Sequence, residues 1–237
     1  MLPVIFGLSG ATLSVEERAF FRVAEPVGYI LFARNVVSPQ QLHVLAAELR
    51  DLHGRDDLLV LVDQEGGRVA RLAPPAWPAY PAAAVLAASW QRDREAAIAA
   101  TQYNYEALGI DLALAGINVD CAPVLDLPRP GAHDVIGDRA FGSDATVVAA
   151  LGQAVLDGLA AAGVVGVIKH IPGHGRAVVD SHHALPVVTA SEDELWADAV
   201  PFAALAHAPI AMTAHVKYDA WDPNECATLS DIVIQQV

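Results

Sequence analysis

Cysteine and lysine are both scarce in this chain. Its 237 residues include two cysteines, Cys121 and Cys226, and two lysines, Lys169 and Lys217. Two cysteines cannot form a disulfide framework, and we expect both to be small buried side chains in a reducing compartment. The first 15 residues contain neither lysine nor arginine, so they lack the charged start of a secretory signal. We therefore expect a cytoplasmic protein.

Positive charge is also in short supply. The chain has 14 lysines and arginines against 28 aspartates and glutamates, a formal net charge of −14. Nucleic acid and anionic membranes would be repelled at long range, so neither is an expected partner. The longest apolar stretch, residues 145–168, is interrupted by Gln153 and Asp157 and contains the helix stop Gly163. This pattern favours a helix followed by a buried strand over a membrane span.

Six short apolar runs alternate with helical patterns. The runs cover residues 4–8, 28–32, 58–62, 117–120, 164–168 and 210–213. Helix starts are marked by Ser14, by Ser38 followed by Pro39, and by Ser191. Alternating buried strands and helices predict an α/β fold with a parallel sheet.

Polar residues at the ends of the predicted strands favour a closed barrel over an open doubly wound sheet. The residues in these positions are Asp63, Asp120, Lys169, His170 and His215. A (β/α)8 TIM-type barrel carries its active-site residues at the carboxyl ends of its strands. Eight strands close such a barrel, and six are visible. We therefore expect residues 1–237 to form one barrel domain that lacks its C-terminal part.

The densest polar segment is KHIPGHG, residues 169–175. His170 and His174 are four residues apart, a spacing that on a helix would suit a zinc site. Pro172 and Gly173 oppose a helix at this point, so we expect an irregular loop after a strand.

A second pattern, Asp180-Ser181-His182, follows directly. In an extended segment Asp180 and His182 would point to the same side, so the carboxylate could orient the imidazole as a general acid/base. The alternative is a polar loop in which Asp180 caps a turn and His182 is merely exposed.

Residues 169–182, KHIPGHGRAVVDSH, resemble the signature of family 3 glycoside hydrolases, specifically the single-domain bacterial β-N-acetylhexosaminidases that act on peptidoglycan fragments. Two further segments resemble motifs of that family: DQEGGRVAR at residues 63–71 and IGDRAFG at residues 136–142. Ile171 stands where the family usually has phenylalanine, a change between apolar residues. The resemblance spans nearly the entire chain.

The resemblance implies roles for seven residues. The sugar-binding positions of the family fall on Asp63, Arg71, Arg139, Lys169 and His170, the acid/base histidine on His182, and its partner aspartate on Asp180. The nucleophilic aspartate of the family lies beyond a segment like residues 227–230. We therefore expect these 237 residues to lack it. Glu65 precedes the turn formers Gly66-Gly67 and is expected to anchor that loop, not to catalyse.

The implied activity is removal of terminal N-acetylglucosamine from peptidoglycan-derived muropeptides, with retention through a covalent intermediate. A saccharide or muropeptide is the expected partner, and neither cofactor nor metal is required. One alternative is a metal-dependent barrel hydrolase with ligands from His170, His174, His182, His215 and an aspartate. The other is a sugar-binding fragment that keeps Asp63, Arg71 and Arg139 but cannot turn over.

Overall fold

Parallel strands and the helices between them form the body of the protein. The computed structural model describes residues 1–181 and 183–236. The strands are β1 Leu2–Gly7, β2 Pro26–Leu31, β3 Leu59–Val62, β4 Val119–Asp120, β5 Val165–Ile171, β6 Val187–Val188, β7 Ile210–Thr213 and β8 Lys217–Tyr218. The helices are α1 Val15–Ala24, α2 Pro39–His53, α3 Ala83–Ala87, α4 Arg94–Leu114, α5 Ala145–Ala161, α6 Glu192–Ala204 and α7 Asp231–Gln236, and short 3-10 turns lie at Ala33–Asn35 and Gly137–Arg139.

Six strands form one parallel sheet in the order β1-β2-β3-β4-β5-β7, curled like part of a barrel, and β6 and β8 pair separately. All six predicted strands are confirmed, with small shifts at their ends. Parallel strands joined through helices place all their carboxyl ends at one rim. That rim is where the predicted polar residues meet.

The predicted helix starts are confirmed. Ser14 and Ser191 each cap a helix through a capping box, and the hydroxyl oxygen of Ser38 accepts from the backbone N–H of Gln41 ahead of α2. Each such cap typically stabilises a helix by about 1 kcal/mol, because it satisfies an otherwise orphaned backbone donor.

The sheet buries side chains on both of its faces. In β3, Val60 and Val62 join the main core beneath the helices, whereas Leu61 packs inside the curl with Val119 and Cys121. Both cysteines are buried and unbonded to each other, as expected. This two-sided burial explains why the strands read as continuous apolar runs.

Residues 145–168 form α5 and then β5, as the sequence predicted. Gly158 lets α5 approach α4 closely, since a Cβ there would collide with the carbonyl oxygen of Gln102. In the described part of the chain, no helix combines the length and the apolar character needed to cross a bilayer.

One strand boundary was predicted wrongly. Lys169 and His170 lie within β5 and not in the loop after it. The strand continues because β7 pairs with it up to Thr213, with Lys169 opposite Met212 and Ile171 opposite Thr213. Pro172 and Gly173 then end it, as their backbone restrictions require.

Candidate active site

A cavity of about 300 Å³ opens at the carboxyl rim of the sheet. Its lining includes all five residues predicted to bind sugar: Asp63, Arg71, Arg139, Lys169 and His170. The other lining residues are Glu65, Val69, Val135, Ile136, His174, Ser181, Met212, Thr213 and His215. The size lies at the lower end for small-molecule pockets, and the lining is unusually rich in charge.

Lys169 is the centre of a buried ion cluster. Its side chain is 1% exposed, and its Nζ lies 2.9 Å from Oδ1 of Asp63 and 2.5 Å from Oε1 of Glu65. Arg139 donates from Nε and Nη2 to the two oxygens of Glu65, both at 2.8 Å. Glu65 therefore holds two cations in place. Its predicted anchoring role extends beyond its own loop to Lys169 and Arg139.

Asp63 lies between two cations. Nη2 of Arg71 is 3.3 Å from Oδ2 of Asp63, while Lys169 contacts Oδ1. Asp63 is positioned by β3, which ends one residue earlier, and Lys169 by β5. Two strands that are not sequence neighbours therefore bring an acceptor and its donors to one wall of the cavity.

These groups stay charged despite their burial. Burial raises the pKa of Asp63, but the charge of Lys169, with Arg71 and Arg139, outweighs it and leaves that pKa below its usual value. The same balance lowers the pKa of Glu65, where Lys169 and Arg139 oppose burial. Burial lowers the pKa of Lys169, but the two carboxylates raise it by more. The cavity wall therefore presents fixed, preorganised charges at neutral pH.

The loop after β3 is tied by its own polar groups. Glu65 N–H donates to the Val69 carbonyl across a tight turn in which Gly66 and Gly67 adopt φ of 87° and 57°. The side-chain oxygen of Gln64 accepts from the backbone N–H of Arg71 at 2.8 Å. Glu65 and Arg71 therefore face the cavity on a braced turn, and side chains at either glycine would strain it.

Asp126 orients the histidine side of the cavity. Its Oδ2 accepts from Nδ1 of His170 at 2.7 Å, and its Oδ1 accepts from the backbone N–H of His174 at 2.7 Å. Burial raises the pKa of Asp126, but His170 and the hydrogen bonds lower it by more. With Asp126 ionised, Nδ1 of His170 carries the proton, so its Nε2 remains for other contacts.

The backbone after β4 explains how Asp126 reaches this position. Residues 121–125 continue along the sheet, with Leu125 N–H bonded to the Lys169 carbonyl at 2.8 Å and Val124 paired in parallel with Lys169. Asp126 therefore follows the strand-like segment beside β5. The sequence interpretation missed it, and its only signal was an aspartate after the apolar run at residues 121–125.

His174, a metal ligand in one of the alternatives, is buried. Its Nε2 lies 3.0 Å from the hydroxyl oxygen of Ser181, and its ring meets that of His170 edge to face with centroids 5.7 Å apart. Burial lowers the pKa of His174 in spite of Asp126, so its ring is neutral near pH 7. Within residues 1–181 and 183–236, no group of three or more histidine, cysteine, aspartate or glutamate side chains has the arrangement to hold a metal ion.

Asp180 begins a turn. Its carbonyl oxygen accepts from the N–H groups of His183 and Ala184 at 3.0 and 3.1 Å. His182, the predicted acid/base residue, lies outside the described residues, so its pairing with Asp180 stays a prediction.

The match to known families covers most of the chain. Residues 14–237 match the N-terminal domain of glycosyl hydrolase family 3. The chain belongs to glycosyl hydrolase family 3. A beta-hexosaminidase of Aromatoleum aromaticum is 40% identical over 227 residues, which cover 94% of this chain and 63% of that protein. One from Alkalilimnicola ehrlichii is 43% identical over 238 residues, covering 99% of this chain and 67% of that protein. The chain thus spans about two thirds of the length of these family members.

Solved structures of family members confirm the predicted fold. NagZ from Neisseria gonorrhoeae, in complex with N-trifluoroacetyl-D-glucosamine, superposes with a TM-score of 0.92 at 37% identity, covering 99% of this chain and 69% of that chain. The beta-N-acetylglucosaminidase from Thermotoga maritima gives 0.81 at 28% identity, covering 98% and 47%. The six-stranded half-barrel therefore matches the barrel-like N-terminal domain of the family, and this chain covers only part of the enzyme.

Proposed function

We propose that the complete protein is a retaining β-N-acetylglucosaminidase that releases terminal N-acetylglucosamine from a saccharide chain. The observation that carries this proposal is the convergence of Asp63, Arg71, Arg139, Lys169 and His170 on one cavity at the strand ends. The family resemblance assigns a sugar-binding role to each of these residues. The bound N-trifluoroacetyl-D-glucosamine of the Neisseria NagZ supports the choice of sugar.

The chemistry of the lining suits a ring of hydroxyl groups. The ionised carboxylate of Asp63 accepts hydrogen bonds, and Lys169 and Arg71 beside it donate them. Because ion pairs and Asp126 already hold these side chains, little ordering entropy is lost when the sugar binds. Hydrogen bonds to charged groups contribute about 1.5–3 kcal/mol each, so a few of them suffice to select a polar ring.

Retaining glycosidases usually employ two carboxyl groups, one as nucleophile and one as acid/base. In our proposal His182, assisted by Asp180, takes the second role. An imidazole has an ordinary pKa near 6.5, so it can donate and then accept a proton near neutral pH. The family resemblance assigns the first role to an aspartate C-terminal to residue 237.

Muropeptides derived from peptidoglycan are the substrates we propose, in the cytoplasm, where Cys121 and Cys226 stay reduced. Both points rest on the family resemblance and on the cysteine usage. A comparison of kcat/KM on a muropeptide and on chitobiose, which share the terminal sugar, tests the aglycone preference. Higher kcat/KM on chitobiose would contradict it.

The acid/base assignment is tested by His182→Ala in the complete enzyme. We expect formation of the glycosyl intermediate to slow by about a hundred- to ten-thousand-fold on an aryl N-acetyl-β-glucosaminide with a poor leaving group. Asp180→Ala should do nearly as much. A good leaving group needs little protonation, so the loss should shrink for it. Equal losses on both substrates would show that His182 does not transfer the proton. Sugar binding without turnover by the unmodified protein would identify a binding protein instead.

A further inference from the structure

Asp198, on α6, is the buried centre of a charge network outside the cavity lining. Its side chain is 5% exposed. Oδ1 accepts from Nε and Nη2 of Arg129 at 2.9 and 2.6 Å, and Oδ2 accepts from Nε of Arg176 at 2.5 Å. One carboxylate therefore holds two arginines, one on each oxygen.

The two arginines belong to two different loops at the carboxyl rim. Arg176 lies between the end of β5 and Asp180, and Arg129 lies between β4 and α5. The loops also bond to each other, through Arg129 N–H to the Gly175 carbonyl at 3.0 Å and His133 N–H to the Ala177 carbonyl at 2.8 Å. Asp198 thus fastens the paired loops to a rigid helix.

Among the described residues, no other hydrogen bond or ion pair of Arg176 replaces this carboxylate. Its Nη1 also reaches Oε1 of Glu194 at 3.1 Å, but Glu194 is 50% exposed, so solvent screens that pair. Without Asp198, Arg129 and Arg176 would repel each other at the point where their loops meet. The buried carboxylate therefore adds to the two backbone hydrogen bonds between the loops and ties both loops to α6.

We propose that Asp198 is a positioning residue for acid/base catalysis: through Arg176 it fixes the loop that carries Asp180 and leads into His182. The inference rests on the proposed function. A general acid must come within about 2.6–3.2 Å of the atom it protonates. A misplacement of about 1 Å from a distant change can cost about a hundred-fold in rate. Glu65 holds Lys169 and Arg139, and Asp126 holds His170. Among the described residues, no hydrogen bond or ion pair joins either carboxylate to the side chains of Asp198, Arg129 or Arg176.

The test compares Asp198→Asn, Arg176→Gln and the matched control Glu194→Gln in the complete enzyme. Glutamine at position 194 retains the helix cap and removes only the exposed partner of Arg176. The measurements are kcat/KM on phenyl and 2,4-dinitrophenyl N-acetyl-β-glucosaminides, and competitive inhibition by N-acetylglucosamine. We expect both network variants to lose about a hundred-fold on the phenyl substrate and far less on the dinitrophenyl one. In both network variants, competitive inhibition by N-acetylglucosamine should stay unchanged. In the control Glu194→Gln, kcat/KM on both substrates should stay unchanged.

Each outcome decides the matter. Equal losses of kcat/KM on both substrates would overturn the positioning role and leave Asp198 a structural residue. Inhibition by N-acetylglucosamine that weakens as much as kcat/KM falls would do the same. If Asp198→Asn does not fold, Arg176→Gln carries the test, because it leaves the pair of Asp198 with Arg129 intact. No turnover by the unmodified enzyme would overturn the proposed function and this inference with it. If the unmodified enzyme turns over and the variants keep its ratio of kcat/KM on the two substrates, the inference alone would be overturned.

Discussion

Replacing Glu65 by glutamine removes the charge that joins two cations of the cavity wall. Lys169 and Arg139 share Glu65, and of the two only Lys169 also contacts Asp63. The variant keeps the shape of the side chain but leaves Lys169 with the carboxylate of Asp63 as its partner. Arg139, 12% exposed, then has no anionic partner within 4 Å among the described residues.

The expected cost follows from this burial. Removing one member of a buried ion pair typically destabilises a protein by about 3–5 kcal/mol, because the remaining charge is left uncompensated. Glutamine retains one oxygen as an acceptor, so we expect the lower end, about 3 kcal/mol. The shift in Tm is about 2–4 °C per kcal/mol for 150–250 residues and smaller for longer chains, so Tm of the complete protein should fall by at most about 6–12 °C.

Urea and thermal unfolding of the complete protein measure this effect, and Asp138→Asn is the matched control. The distance from Nε of Arg68 to Oδ1 of Asp138 is 2.8 Å, equal to that from Nε of Arg139 to Oε2 of Glu65, but the Arg68 and Asp138 side chains are 47% and 49% exposed. The control should therefore lose at most about 1 kcal/mol. Equal losses in both variants would refute the argument that burial makes the Glu65 pair important.

Two further predictions concern a buried acid and a tight glycine. Burial raises the pKa of Asp120 well above its usual value, and the hydrogen bond from Gln64 N–H opposes this only in part. The contribution of Asp120 to stability is therefore fully present below the unfolded pKa of about 4 and is lost as pH rises toward the folded pKa. Asp120→Asn should therefore match the parent in urea unfolding near pH 4 and exceed it at pH 8, and equal destabilisation at both values would contradict this. A Cβ at Gly175 would collide with the Leu127 carbonyl oxygen, so Gly175→Ala should displace the loop and reduce kcat/KM, whereas Gly10→Ala, in open space, should change neither activity nor Tm. Unchanged activity of Gly175→Ala would show that the loop tolerates the displacement.

The strands were predictable because their side chains are buried on both faces. Runs such as residues 58–62 carry no alternating polar residues, and Gly or Pro directly precedes several of the runs. Asp63 and Lys169 were predictable for a related reason, since parallel strands bring their carboxyl ends to one rim. The family motifs then assigned their roles.

The roles of Asp126 and Asp198 were not predictable from local sequence. Asp126 reaches His170 only because residues 121–125 run beside β5, and Asp198 binds Arg129 across 69 residues of chain. Such contacts depend on how loops pack at the rim, for which one sequence carries no periodic signal. The turn that begins at Asp180 was one of two alternatives left open, because spacing alone does not distinguish an extended pair from a capped turn.

The most direct test of the central claim is proton NMR of the first sugar that the complete enzyme releases from an aryl N-acetyl-β-glucosaminide. The proposed double displacement, with the sugar held by the cavity of Asp63 and Lys169, predicts that the β-anomer of N-acetylglucosamine appears first and then mutarotates. Initial appearance of the α-anomer would contradict the retaining mechanism. Absence of any release would contradict the assignment of the protein as a glycosidase.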